Sequence, residues 1–140
     1  QILPYAWGST SATTFTAMFG SCSNLKTVGT FTSTNASAFN NLFLSCESLT
    51  EVGAWNFGGA GSSANYNNMF ANCFSLATIS ATGHKFTFSV ANLQLSAAAL
   101  NTLYGNLATV SGQTITVTGN YGTASDDPTI ATGKGWTVTG

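Results

Sequence analysis

Large apolar residues recur in one fixed arrangement three times along the chain: Phe15-x-x-Met18-Phe19-x-x-Cys22-x-x-Leu25-x-x-Val28, Phe39-x-x-Leu42-Phe43-x-x-Cys46-x-x-Leu49-x-x-Val52, and Tyr66-x-x-Met69-Phe70-x-x-Cys73-x-x-Leu76-x-x-Ile79. Identical spacing over seven positions marks an internal repeat. Phe39 follows Phe15 by 24 residues and Tyr66 follows Phe39 by 27, inside the range of roughly 20–50 residues typical of stacked architectures. In each copy the aromatic, the Met or Leu, and the next Phe stand at i, i+3 and i+4, which predicts one face of a short helix. The apolar pair after the Cys predicts a short strand. Neither element buries its apolar side alone, so the copies are expected to stack.

The register extends outward from these copies. Trp7 precedes Phe15 by the same 8 residues that separate Phe31 from Phe39, so Ile2 to Trp7 reads as the tail of an earlier coil. That start within a repeat reads as part of a longer chain, with Gln1 to Trp7 beneath the first full coil and another chain or domain covering that end. Leu100-x-x-Leu103-Tyr104 and Leu107-x-x-Val110 align with Phe15-x-x-Met18-Phe19 and Leu25-x-x-Val28 as a fourth, degenerate coil without its Cys. Ser96 before Ala97-Ala98-Ala99 is an N-cap for its helix. Residues 1–110 are thus expected to form the stack, and 111–140 a cap of the same domain. The cap has a strand over Thr114 to Thr118, a helix start at Asp127-Pro128, and a closing strand over Gly135 to Thr139. Between copies the connections lengthen, placing a flexible loop at Gly58 to Ser63 and an extra strand at Phe86 to Val90.

Composition narrows the setting. Apolar residues make up 44% of the 140 positions and charged residues only 5%, against about 25% charged in ordinary soluble domains. Ser, Thr, Asn and Gly must therefore cover the surface. With three basic and four acidic residues and a net charge of −1, the chain has no basic footprint for nucleic acid and no polybasic membrane anchor. A surface so weakly charged favours association, which suits a homo-oligomeric part of a larger assembly. No apolar run approaches the roughly 20 residues of a membrane helix.

Candidate chemistry is sparse. Cys22, Cys46 and Cys73 hold one position in successive copies and predict a buried structural ladder, favoured over a zinc site or a disulfide. Glu47 and Glu51 flank a strand and need not converge as a catalytic pair. His84 lies in a polar loop and reads as solvated or locally bonded. Asp126-Asp127-Pro128 reads as helix capping rather than metal ligation, and Asn35-Ala36-Ser37 as a chance glycosylation sequon. No enzyme and no cofactor is indicated. The outward positions beside the strand anchors are Lys26 and Thr27, Thr50 and Glu51, Ala77 and Thr78, and Ala108 and Thr109. They are the candidate binding face, with a plain solvated sheet as the competing reading. Trp7, Phe31, Trp55, Phe57 and Phe86 share a register that favours packing over sugar stacking.

Met18-Phe19-Gly20-Ser21-Cys22-Ser23-Asn24-Leu25 and its counterparts at Leu42 to Leu49 and Met69 to Leu76 resemble the Met-Phe-x-x-Cys-x-x-Leu repeat of BspA-like leucine-rich-repeat surface proteins. The segments Leu95 to Tyr104 and Ile130 to Val138 resemble the C-terminus of repeat proteins encoded in bacteriophage tail regions. The departures are the missing fourth Cys and the lengthened connections. The resemblance implies an α/β repeat fold: a leucine-rich-repeat-like solenoid of short parallel strands and short helices, about four coils plus a C-terminal cap. It implies a virion-borne or extracellular adhesion module, such as part of a phage tail fibre, recognising a host cell-surface glycan or protein. A structural virion, fibre or decoration subunit, or a bacterial surface adhesin, are the alternatives.

Overall fold

A computed structural model describes residues 2–3, 7–9, 12–33 and 36–140. Asn35 of the sequon and the side chains of Ile2 to Trp7 lie outside the described residues. The strands are short, two to four residues each, and all pair in parallel. Four of them form one sheet in the order β1 (Ile2–Leu3), β3 (Thr27–Val28), β5 (Glu51–Val52) and β7 (Thr78–Ile79). A second sheet joins β2 (Trp7–Ser9), β4 (Phe31–Ser33) and β6 (Trp55–Asn56). A third joins β8 (Phe88–Ser89), β9 (Gln113–Thr116) and β10 (Trp136–Thr139), with β9 in the middle. The register is that of the sequence repeat: Thr27 lies opposite Glu51 and Glu51 opposite Thr78, while Phe31 lies opposite Trp55.

This is not the expected α/β leucine-rich-repeat-like solenoid with a short helix in every coil. The only helices among the described residues are α1 (Ala97–Asn106) and α2 (Thr129–Thr132), both outside the three motif copies. Where helical turns were predicted, residues 16–21, 40–45 and 67–72 form consecutive turns. Ala17, Ser21, Asn41, Ser45, Asn68 and Asn72 take φ values between 52° and 61°. A left-handed residue every fourth position breaks the α-helical ladder. Tight i to i+3 bonds replace it, such as Met18 N–H to the Phe15 carbonyl and Leu42 N–H to that of Phe39. The intervening N–H groups turn outward: those of Phe15, Ala17, Phe19 and Ser21 donate to the carbonyls of Ala38, Asn40, Leu42 and Leu44 in the next copy. Apolar positions at i, i+3 and i+4 suit this turn train as well as a helix, and in the second and third copies all of them are buried.

Rings from successive copies stack into columns. Phe19, Phe43 and Phe70 lie 5.4 and 5.8 Å apart with nearly parallel planes, and Phe15, Phe39 and Tyr66 form a second column at 5.7 and 5.4 Å. Phe31 stacks on Trp55 at 4.4 Å, and the Trp55 indole N–H donates to the Gly29 carbonyl. Phe31, Trp55 and Phe57 are buried, so they belong to the interior rather than to a sugar platform.

The fourth copy departs from its expected register. Ser96 does cap α1, its side chain accepting from the Ala99 N–H, and Leu100, Leu103 and Tyr104 form the buried stripe. After α1, however, the Ala108 N–H bonds to the His84 carbonyl and the Val110 N–H to that of Lys134, and neither residue joins the sheet that ends at β7. In α1 the N–H groups bond along the helix, as that of Leu100 does to the Ser96 carbonyl, and so make no copy-to-copy bonds that would hold the register. The strands expected over 114–118 and 135–139 form as β9 and β10, and the Asp127 side chain accepts from the Thr129 N–H at the start of α2. Gly135, at φ +84°, makes the turn into β10, where a Cβ would meet the Val110 carbonyl oxygen. The segment Gly58 to Ser63, expected to be a loose loop, is tied down by bonds from Ala60 N–H to the Phe57 carbonyl and from Gly61 N–H to that of Ala36.

Candidate functional site

On the strand face, Thr27, Glu51 and Thr78 form one row across β3, β5 and β7. Lys26, Thr50 and Ala77 form the row beside it, joined by Thr50 N–H to Lys26 carbonyl and Ala77 N–H to Thr50 carbonyl bonds. All are exposed except Thr27, which is half-buried, because their strand partners Val28, Val52 and Ile79 point inward. The Thr50 hydroxyl is spent on the Lys26 carbonyl at 3.1 Å. Thr109 is exposed but stands apart from these rows, since its segment pairs with His84 and Lys134 instead. The face is flat and offers hydroxyls and one charge of each sign.

The cysteine ladder has two buried rungs rather than three. Cys46 donates its Sγ–H to the Phe19 carbonyl and Cys73 to that of Phe43, each at 3.0 Å, and all three thiols are free. Burial raises the pKa of the Cys46 thiol to about 11 and that of Cys73 to about 12. Cys22 is exposed, contrary to expectation. Each buried thiol reaches back to the preceding copy, and Cys22 belongs to the first. Met18 shares its situation: it is 46% exposed, whereas its counterparts Leu42 and Met69 are buried.

His84 is the largest departure from the sequence reading. It is fully buried, not solvated, stacked on Phe88 at 4.4 Å with Phe57 at 4.4 Å and Tyr66 at 5.4 Å around it. Neither ring nitrogen has a hydrogen-bond partner, nor has the nearby Tyr66 hydroxyl. Desolvation pushes the imidazole pKa down from 6.5 to about 3 and raises that of the Tyr66 phenol. An imidazole held neutral and shut away from solvent by three aromatic rings is poorly placed for proton transfer to an external substrate. Among the described residues no three His, Cys, Asp or Glu side chains gather as a metal-binding group.

Two features were missed by the sequence reading. Asn120 is a buried clamp: its Oδ1 accepts from the Leu95 N–H, and its Nδ2 donates to the carbonyls of Val90 and Val117. Nearby, the Tyr104 hydroxyl donates to Asp126 at 2.5 Å. The second feature is a groove between the third motif copy and the segment around β8. It consists of two depressions of about 230 and 290 Å³ that share Asn68 and Ser89. Asn72 and Phe74 extend it at one end, with Ala91 and Asn92 opposite; Tyr66 and Thr87 lie at the other. Phe74 is 51% exposed there. The one signal available in the sequence was the recurrence of Asn at positions that the backbone drives left-handed, Asn41, Asn68 and Asn72, since Asn tolerates that region better than most residues.

Compared with known proteins, the chain matches no family model, no curated protein and no solved structure.

Proposed function

We propose that this chain is a non-enzymatic binding module of a phage tail fibre or a similar extracellular appendage, recognising a host-surface glycan or protein. The observation that carries this reading is the surface. Ordered, parallel-paired segments present rows of hydroxyls on one side and an asparagine-lined groove with an exposed Phe74 on another, with almost no charge on either. Sites of this kind recognise neutral, oxygen-rich partners through directed hydrogen bonds and aromatic contact. The buried His84 and the thiols held protonated at Cys46 and Cys73 support a packing role for the chain's most reactive side chains. A second reading, a virion or fibre subunit that packs against copies of itself, draws on the exposed Met18 and Cys22 in the first copy.

Attachment to cells of a susceptible host, or to their purified surface polysaccharide, tests the proposal. Wild-type binding should persist as salt is raised, because seven charged residues supply little electrostatic attraction. Thr50→Arg and Thr78→Arg, both at exposed positions, separate the strand face from the rest of the surface without disturbing the fold. If both variants bind as wild type does, that face is not the contact. Absence of binding by the wild type, together with self-association in light scattering, favours the structural reading.

A further inference from the structure

The forward bonds of the turn train are identical from the first copy to the second and from the second to the third, and they stop at the groove. In the second copy, the N–H groups of Phe39, Asn41, Phe43 and Ser45 donate to the carbonyls of Asn65, Asn67, Met69 and Ala71. The equivalent N–H groups of the third copy, on Tyr66, Asn68, Phe70 and Asn72, donate to no group among the described residues. Every carbonyl from Asn65 to Ala71 is nevertheless engaged, the odd-numbered ones by the second copy and those of Tyr66, Asn68 and Phe70 by the N–H groups of Met69, Ala71 and Cys73. The third copy therefore ends in an edge of donors only. The next segment does not close it: no carbonyl of residues 87–92 accepts from these N–H groups. The groove lies between the two.

We propose that this groove is a glycan-binding site, in which the N–H groups of Tyr66, Asn68, Phe70 and Asn72 donate to successive sugar oxygens, the Asn72 and Asn92 amides flank the ligand, and Phe74 stacks on a pyranose face. This rests on the reading of the chain as a binding module and names both its site and its ligand class. Backbone N–H groups left without partners represent unspent hydrogen-bonding capacity, which a ligand can use. An ordinary peptide strand fits poorly, because its edge alternates donors with acceptors and would set every second N–H against a donor. A sugar chain offers ring, glycosidic and hydroxyl oxygens, all able to accept. No cationic side chain lines the groove, so a carboxylate or phosphate is not required for binding.

The test uses the full chain on a printed array of neutral and acidic oligosaccharides, followed by titration of the best-binding sugar in amide-resolved NMR. Downfield shifts of the Asn68, Phe70 and Asn72 amide protons on titration support the site. Phe74→Ala, which removes the platform, and Ser89→Trp, which fills the groove from an exposed position, should each weaken binding about tenfold or more, while Tyr121→Ser, at an exposed position outside the groove lining, leaves it unchanged. Circular dichroism of each variant checks that the fold is kept. Full binding by both groove variants, or amide shifts confined to other residues, overturns the groove as the site while leaving the binding-module reading intact. Binding to host cells without any array binding overturns the glycan assignment alone. Absence of binding to both array and cells overturns the two together.

Discussion

The three motif copies and the segment after them solve the same packing problem differently. From Phe15 to Ile79 the interior is held by repetition: like ring lies on like ring, and one backbone bonding pattern is used twice. Beyond Thr82, the last residue paired in the repeat register, buried polar side chains take over, with Asn120 linking three segments, Tyr104 bonded to Asp126, and His84 enclosed by rings. Where segments match, the backbone satisfies itself; where they do not, an amide side chain adapts one to the next. The difference carries a cost in robustness, because a single adaptor serves several backbone groups at once.

The sharpest way to break the comparison is to remove the adaptor. Asn120→Ala strands the Leu95 N–H and the Val90 and Val117 carbonyls. At about 1–3 kcal/mol per buried unsatisfied group, with partial relaxation, a loss of roughly 3–5 kcal/mol in urea-unfolding free energy is expected. Asn120→Asp, which keeps the acceptor but not the donor, should recover only part of it. A loss below 1 kcal/mol would mean that the C-terminal region does not depend on this clamp.

His84 gives the comparison a pH axis. Its native pKa is lowered to about 3 from 6.5 by burial, so between those values the unfolded chain binds a proton that the native chain does not. Stability from this group is therefore whole above about pH 6.5 and falls as the pH drops toward 3, by up to about 1.4 kcal/mol per pH unit. His84→Phe keeps the ring stack and removes the titration. The gap in denaturant midpoint between variant and wild type should widen as the pH is lowered from 7 to 4.5, and a constant gap would place His84 in contact with water.

Within the repeated region, the smallest effect separates interior from edge. Cys46→Ser substitutes a hydroxyl in the buried stack and should cost about 1–2 kcal/mol, whereas Cys22→Ser, at an exposed position, should stay within about 0.5 kcal/mol. Equal losses in thermal or urea unfolding would show that the first copy is as well covered as the second.

The repeat spacing, the strand anchors, the Ser96 cap and the strands β9 and β10 were legible in the sequence because periodicity and capping are local properties. The turn train was not, since apolar residues at i, i+3 and i+4 serve a helix and a chain of turns equally. Only the left-handed Ser and Asn residues, Ser21, Ser45, Asn41, Asn68 and Asn72, carried the distinction. His84 was misread because its sequence neighbours Gly83 and Lys85 are polar, while the rings that enclose it come from Phe57, Tyr66 and Phe88, two of them distant in sequence. The groove could not be foreseen either: it exists because the N–H groups of Val90 and Asn92 bond to Thr116 and Thr118 while no carbonyl beside them accepts from the third copy's turn train. Cys22 and Met18 were assigned to the interior by equivalence alone, whereas the buried thiols of Cys46 and Cys73 each owe their cover to the copy before them.

The uniform direction of the bonds between the turn trains has an electrical consequence. In a β-ladder neighbouring peptide dipoles oppose one another and largely cancel. In the turn trains, by contrast, the eight N–H groups of Phe15, Ala17, Phe19 and Ser21 and of Phe39, Asn41, Phe43 and Ser45 all point toward the third copy, and their carbonyl partners are aligned with them. Those peptide dipoles add across the stack, as they add along a helix. The partial positive end of that sum emerges at Tyr66, Asn68, Phe70 and Asn72. A chain with a net charge of −1 and only three basic residues thus carries a field that draws electronegative atoms into the groove without a single cation there.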